Sequence, residues 1–151
     1  MKILVSACLM GMSCRYDGQN NLIPQLKKLM KTHTCIPVCA EILGGLPTPR
    51  PPAERRGSAV VTQDGQDVTD AFVRGAAEIL RLADLYHCKV ALLKERSPSC
   101  GSGQIYDGTF TGTLTEGDGV TAQLLKKKGL TVYGESQLSE LIDDRPMFYS
   151  I

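Results

Sequence analysis

The hydrophobic and polar positions along this chain switch repeatedly between two spacings. Short runs of apolar and β-branched residues, such as KILVSA, are typical of buried strands. Between these runs, apolar residues recur every three or four positions, which is typical of amphipathic helices. The longest such helix has Thr69 as its N-cap, and its apolar face consists of Phe72, Ala76, Leu80 and Ala83. The pattern predicts strands at residues 2–7, 34–39, 89–95 and 130–134, and helices within residues 21–31, 70–86, 117–129 and 136–143.

Two stretches do not follow this alternation. Residues 40–58 are rich in proline, which removes backbone donors, so they are predicted to form a long loop without regular helix or sheet. The segment AVVTQDGQDVT that follows is predicted to be a small hairpin closed at Asp64 and Gly65. Pro37 makes a central position in the sheet unfavourable for the strand at residues 34–39.

Strands that alternate with helices indicate an α/β fold. We expect a mostly parallel sheet covered by helices on both faces, a three-layer arrangement. In such sheets ligands bind beyond the carboxyl ends of the strands. Candidate functional residues are therefore those in the loops that follow strands.

Length and charge narrow the class of protein. The 151 residues contain 42% apolar and 22% charged residues, which fits one domain over residues 1–151. The net charge of +1 gives no broad basic field for a nucleic-acid polymer or a membrane surface. The composition therefore favours a small-molecule partner. No exposed apolar stripe predicts an oligomeric state.

The amino-terminal segment bears on localisation. VSAC at residues 5–8 looks like the cleavage site of a lipoprotein signal, but only residues 3–5 are apolar before it, where a signal needs about 7–15 apolar residues. The sequence also lacks a run of about 18 apolar residues. We expect a cytoplasmic protein whose six cysteines are reduced thiols or metal ligands.

Three of the cysteines follow three different predicted strands. Cys8, Cys39 and Cys100 each occupy this type of position, so the sheet brings them to one edge. Cys35 lies too far along a strand from Cys39 to share an ion with it, and packing explains both Cys35 and Cys88. The two histidines, His33 and His87, lie at the starts of strands and are interpreted as structural.

Three converging thiols could bind zinc or an iron–sulfur cluster. Structural zinc sites usually draw ligands from local C-x-x-C pairs, and this sequence contains none. Three thiolates on a four-iron cluster would leave one iron open, which would bind sulfur readily. An open iron therefore predicts a reaction in which sulfur binds to, or leaves from, the metal.

Four segments resemble the thiouracil desulfurase family, a group of small bacterial proteins. They are SACLMGMSCRYDG, PVCAEILGGLPTPRPPAE, KERSPSCGSGQIYDGTFTG and GDGVTAQLL. The resemblance implies a Rossmann-like domain with a [4Fe-4S] cluster that has one open iron and is easily absent from protein prepared in air. It also implies an enzyme that converts 2-thiouracil-like thiolated nucleobases to uracil and sulfide without net redox change. The cluster ligands that it implies are Cys8, Cys39 and Cys100, and the catalytic residues are Glu41 and Ser97.

The residues themselves give both catalytic candidates a plausible role. Glu41 lies two positions after Cys39, and Ser97 lies three before Cys100, so both would face the same cleft. The carboxylate would activate water, and the hydroxyl would steady the ring or relay a proton. The alternatives are a solvated loop charge for Glu41 and a turn residue for Ser97.

The first loop and the proline-rich loop hold further candidates. Cys14 is either a spare thiol near the cluster or a resting ligand of the open iron, while Arg15 and Asp17 either contact substrate or order the loop. Arg50 and Glu54 are a candidate lid pair or a surface ion pair.

Two other functions remain open at this point. The opening ILVSACLMGMSCRYDG also looks like a low-molecular-weight phosphatase, a metal-free hydrolase with Cys8 as nucleophile. That loop needs five residues between cysteine and arginine, and here six separate Cys8 from Arg15; the aspartate–proline pair of that family is also absent. The third possibility is a non-catalytic sulfur or metal carrier.

Overall fold

A computed structural model describes residues 1–143. In chain order its strands are β1 Lys2–Ser6, β2 Thr34–Val38, β3 Ala53–Arg56, β4 Ala59–Thr62, β5 Val90–Leu93, β6 Gln104–Tyr106, β7 Leu114–Glu116 and β8 Thr131–Gly134. Its α-helices are α1 Leu26–Met30, α2 Ala40–Leu43, α3 Thr69–Tyr86, α4 Val120–Lys127 and α5 Leu138–Asp143. Short 3₁₀ turns cover Ala7–Met10 and Glu135–Gln137.

The central sheet has the strand order β2-β1-β5-β8, and all of its neighbouring strands run parallel. Leu4 lies opposite Ile36 on one side and Ala91 on the other, which fixes the register at the centre of the sheet. β2 is an edge strand, so Pro37 removes a donor that no inner strand needs. The predicted α/β fold with a mostly parallel sheet is confirmed.

Both faces of the sheet are covered by helices. Because side chains alternate along a strand, neighbouring residues of β1 and β5 point to opposite faces. One face packs against α3 and α4 through Leu4, Ala91, Leu93, Ile79, Ala83, Ala122 and Leu125. The other packs against α1 and α5 through Ile3, Val5, Leu92, Leu26, Leu29, Leu138 and Leu141. The three-layer arrangement follows from these two cores.

The prediction for the proline-rich stretch was wrong. Residues 40–58 contain α2 and β3, because the prolines precede Ala53–Arg56 rather than interrupt it. β3 pairs antiparallel with β4 in a hairpin that was not predicted. The predicted hairpin at Asp64 and Gly65 forms in part. The Gly65 N–H donates to the Thr62 carbonyl at 3.0 Å, and beyond the turn the N–H groups of Thr62 and Val68 donate to the carbonyls of Gln66 and Val60, although the second arm has only a bridge at Asp67 and no full strand.

Other element boundaries also differ from prediction. The first helix is confined to Leu26–Met30, and the β6–β7 hairpin was not predicted because its strands are only three residues long. Val68, not Thr69, is the N-cap of α3. The Thr69 hydroxyl instead accepts the N–H of Val60 at 2.9 Å, which fastens the start of α3 to β4.

The strand order places a crevice at the carboxyl end of the sheet. From β1 the chain crosses to β2 on one side, and β5 then lies on the other side of β1. Loops that leave two such strands diverge, and ligands bind between them. Within residues 1–143 the structure contains no helix long and apolar enough to cross a membrane.

Candidate active site

A cavity of about 540 Å³ lies at this crevice, beyond the carboxyl ends of β1, β2 and β5. Nearly all of the site residues predicted from the sequence line it. They are Cys8, Cys14, Arg15, Cys39, Glu41, Ser97 and Cys100. Asp17 is the exception, because it does not line the cavity. It instead accepts a hydrogen bond at 3.0 Å from the guanidinium of Arg15, which does line the cavity. The structure therefore brings together residues from three separate loops.

Each of the three strand-end cysteines sits in a distinct local structure. Cys8 belongs to the 3₁₀ turn that follows β1, and Cys39 is the N-cap residue of α2. Cys100 lies in the loop after β5, where Gly101 is needed because a side chain there would collide with the Ser97 carbonyl and Ile105. The three cysteines thus lie in different local structures, but each of them follows a strand of the parallel sheet.

The loop that carries Cys100 is anchored by α4. The N–H of Val120 donates to the Pro98 carbonyl at 2.9 Å, and that of Thr121 to the Ser99 carbonyl at 2.8 Å. At Gly119 a side chain would overlap the backbone of Ser99, so only glycine allows this approach. The free N–H groups that begin a helix are satisfied here by the loop itself.

A second close approach positions α2. A side chain at Gly75 would overlap the backbone of Ala40, and one at Gly44 would overlap the backbone of Ala71. α2 and α3 are therefore packed backbone to backbone. This contact fixes the short helix that carries Cys39 at its start and Glu41 in its first turn.

The thiols of the cavity differ in their protonation. A hydrogen bond with Cys14 lowers the pKa of Cys39 to about 6, and the same bond raises the pKa of Cys14 above its usual range. Burial raises the pKa of Cys8, and it raises the pKa of Cys100 to about 12. Without a bound cation, Cys39 is the thiol that ionises first.

Glu41 is held by a buried arginine that the sequence did not assign to it. Arg50 Nε donates to Glu41 Oε1 at 2.9 Å, and the two side chains are 4% and 18% exposed. The other Arg50 nitrogens donate to the Pro47 carbonyl, the Thr48 hydroxyl and, at 2.8 Å, the Cys14 carbonyl. Arg50 thereby ties the proline-rich loop to the first loop, and the predicted alternative of an Arg50–Glu54 pair does not form.

A second residue that sequence reasoning missed connects the two catalytic candidates. The Ser99 hydroxyl, buried, donates to Glu41 Oε2 at 3.1 Å and lies 3.2 Å from the Ser97 hydroxyl. Because the single Ser99 proton goes to Glu41, the Ser99 oxygen accepts from Ser97, whose own oxygen accepts the N–H of Cys100 at 2.7 Å. The hydrogen bonds therefore run from Ser97 through Ser99 to Glu41. The sequence signal that could have identified Ser99 is its position between Ser97 and Cys100 in the segment SPSC.

The donor set fits a cluster better than a single ion. Within residues 1–143, no three Cys, His, Asp or Glu side chains form a group that could hold one metal ion. Each thiolate of a [4Fe-4S] cluster binds a different iron, so its ligands stand farther apart than those of one zinc ion. Several thiols spread around one cavity match that requirement.

The remaining cysteines and histidines lie away from the cavity. Cys88 is buried in the core between the sheet and α3, and Cys35 packs against the opposite core. His33 contacts the amino terminus at 3.2 Å, and His87 ends α3 in the left-handed conformation. None of the four lines the cavity.

The phosphatase alternative finds no support in this geometry. Arg15 donates to Asn21 at 2.9 Å and to Asp17, so its guanidinium is engaged by neighbours in its own loop. A nucleophilic cysteine needs a lowered pKa, whereas burial raises that of Cys8. Cys8 lacks the surroundings of a phosphatase nucleophile.

Comparison with known proteins adds independent findings. The sequence model of the 2-thiouracil desulfurase family matches residues 3–137. The protein YbbK of Bacillus subtilis (strain 168), itself uncharacterized, is 43% identical over 150 residues, which cover 93% of this chain and 99% of YbbK. A solved structure of TudS (DUF523Vcz), a [4Fe-4S]-dependent thiouracil desulfidase, superposes with a TM-score of 0.88 at 51% identity. That match covers 93% of this chain and 94% of TudS.

Proposed function

This chain belongs to the 2-thiouracil desulfurase family, and on that premise we propose that it is a [4Fe-4S]-dependent desulfidase. Its substrate is a small thiolated nucleobase of the 2-thiouracil type, and its products are uracil and sulfide. The observation that carries the proposal is one cavity lined both by the strand-end thiols and by the Glu41 carboxylate. A cluster and a substrate placed there would be in contact.

We assign the three cluster ligands to Cys8, Cys39 and Cys100. Each follows a different strand of the parallel sheet, so the rigid core sets their separation. Cys39 has the lowest pKa of the cavity thiols and is the natural first ligand, because metals bind thiolates. Cys14 hydrogen-bonds to Cys39 from the first loop and does not directly follow a strand, which favours a supporting role.

The net reaction exchanges sulfur for oxygen. Water adds to the thiocarbonyl carbon, the carbon–sulfur bond breaks, and C=S with H₂O becomes C=O with H₂S, so no electrons are gained or lost. The cluster, when bound, supplies an iron without a protein ligand that can hold the leaving sulfur. The chain itself must supply the base, the orientation of the ring and the path of the protons.

Glu41 is the base that activates water. A carboxylate has about four acceptor sites, of which Arg50 and Ser99 occupy one each. The rest remain free for a water molecule in the cavity. Since Arg50 and Ser99 hold both oxygens in place, Glu41 need not reorganise as it takes the proton.

Ser97 and Ser99 form a path for that proton. Their hydroxyls lie 3.2 Å apart, and Ser99 is bonded to Glu41 Oε2 and lies 3.6 Å from Cys100 Sγ. When both hydroxyls rotate so that they donate away from Glu41, a proton accepted by Glu41 can pass along them toward the departing sulfur. Ser97 also lines the cavity, where its oxygen can accept a hydrogen bond from a ring N–H.

Single substitutions of the cysteines test the ligand assignment. In protein reconstituted with iron and sulfide without oxygen, alanine at position 8, 39 or 100 should lower iron content and the cluster absorption. Alanine at position 14, 35 or 88 is the matched control and should leave about four irons per chain. Full iron content in any of the first three variants contradicts the assignment.

A further inference from the structure

Two aromatic residues of the β6–β7 hairpin lie on the wall of the cavity. Tyr106 ends β6, and Phe110 is in the loop that connects β6 to β7; both line the cavity that holds the strand-end thiols. Neither has a part in the relay from Ser97 to Glu41. An aromatic wall beside a reacting centre suits a flat ring, because every nucleobase presents a π-face.

The backbone of Phe110 is held in an unusual conformation. Its φ is 58°, in the left-handed region that a bulky residue rarely adopts. Outliers of this kind persist only where the surroundings enforce them, and they concentrate at binding sites. The loop thus fixes the backbone that carries this ring at the cavity wall.

Glu54 of β3 is the residue that enforces the conformation. Its Oε1 accepts the N–H of Gly108 at 2.9 Å and the N–H of Phe110 at 3.1 Å. Arg56, on the same strand, donates from Nε to the Gly108 carbonyl at 2.7 Å. A side chain at Gly108 would overlap Arg56, so the loop fits β3 only with glycine there. Two residues of β3, Glu54 and Arg56, therefore hold the backbone of the β6–β7 loop at Gly108 and Phe110.

We propose that Phe110, together with Tyr106 on the same cavity wall, is the surface on which the pyrimidine ring of the substrate stacks, and that Glu54 is a positioning residue for Phe110. This inference rests on the proposed function. Glu54 acts through the backbone of the loop, because its Oε1 accepts the N–H groups of Gly108 and Phe110. Stacking would fix the plane of the ring and contribute binding energy, while the polar groups of the cavity set its rotation within that plane.

Binding of uracil to the cluster-loaded protein tests the proposal without turnover. Phe110→Leu removes the ring and should weaken uracil binding, measured by calorimetry, roughly 5- to 100-fold. Phe110→Tyr restores the ring and should bind within about twofold of the wild type. Tyr86→Leu, at the exposed end of α3, is the matched aromatic control and should leave binding unchanged.

A double-mutant cycle tests the role of Glu54. Glu54→Ala should weaken uracil binding, and the double variant Glu54→Ala, Phe110→Leu should bind no more weakly than the worse single variant. In turnover the same variants should raise KM for 2-thiouracil in proportion and change kcat little. Additive losses in the double variant would overturn the positioning role.

The outcomes separate this inference from the proposed function. Wild-type loaded protein that releases no sulfide from 2-thiouracil overturns the proposed function. Wild-type turnover with unchanged uracil affinity in Phe110→Leu overturns the stacking surface alone. Thermal unfolding shows whether Phe110→Leu is folded. If it is not, Glu54→Ala alone decides, and an unchanged uracil affinity in that variant overturns the proposal.

Discussion

Replacing Arg50 by alanine should destabilise the protein far more than loss of a surface charge. The guanidinium is 4% exposed and pairs with Glu41 at 2.9 Å, while three further hydrogen bonds join it to two loops. Arg50→Ala leaves a half-buried carboxylate without its partner, which costs about 3–5 kcal/mol. The pair of Lys126 with Asp118 is 38% and 25% exposed, so Lys126→Ala should cost about 0–1 kcal/mol.

Urea unfolding of the cluster-free protein, followed by circular dichroism, measures both losses. The loss of unfolding free energy expected for Arg50→Ala is a large part of the roughly 5–15 kcal/mol that stabilises a typical domain. The urea midpoint of this variant should therefore fall strongly, while its m-value stays similar to that of the wild type. The double variant Arg50→Met, Glu41→Gln removes both charges and should recover most of the stability. A loss below about 1 kcal/mol in Arg50→Ala, equal to that of Lys126→Ala, would refute the reasoning.

Three further predictions follow from the same site. Glu41→Gln should keep the cluster absorption but lower kcat for sulfide release about 10²- to 10⁴-fold, and wild-type turnover would remove Glu41 from the mechanism. Ser99→Ala should slow turnover and cost about 1–3 kcal/mol in urea unfolding, because the half-buried Glu41 carboxylate loses a donor, whereas the exposed Ser58→Ala should do neither. In cluster-free protein the pKa of Cys39, about 6, predicts that iodoacetamide labels it first at pH 7, by mass spectrometry. Its labelling should fall as the pH drops below about 6, and Cys14→Ala should slow it, since the hydrogen bond that lowers the pKa is lost; faster labelling of Cys8 would contradict this order.

The convergence of the thiols could be predicted from the sequence because it depends on a general rule. Apolar runs identified β1, β2 and β5, and parallel strands all end at the same edge of a sheet. The sequence therefore predicts that Cys8, Cys39 and Cys100 lie together, and all three line one cavity. It predicts packing roles for Cys35 and Cys88, which do not follow strands, and these two lie against the two cores.

The contacts within the site could not be predicted in this way, because they depend on the paths of loops. Arg50 and Glu54 are four residues apart, yet Arg50 pairs with Glu41 and Glu54 with the loop at Phe110. The bond between Ser99 and Glu41 spans 58 positions of the chain. Spacing within a segment does not predict partners so far apart in the chain. The close backbone approaches that position them, of Gly75 to Ala40 and of Gly119 to Ser99, are visible only in the three-dimensional structure.

The most direct test of the central claim is a paired measurement of sulfide and uracil from 2-thiouracil, without added reductant or oxidant. Protein loaded with its cluster should release the two products in a one-to-one ratio over many turnovers. The same protein stripped of iron should release neither. Equal rates with and without the cluster, or sulfide without uracil, would contradict a non-redox desulfidase built on these thiols.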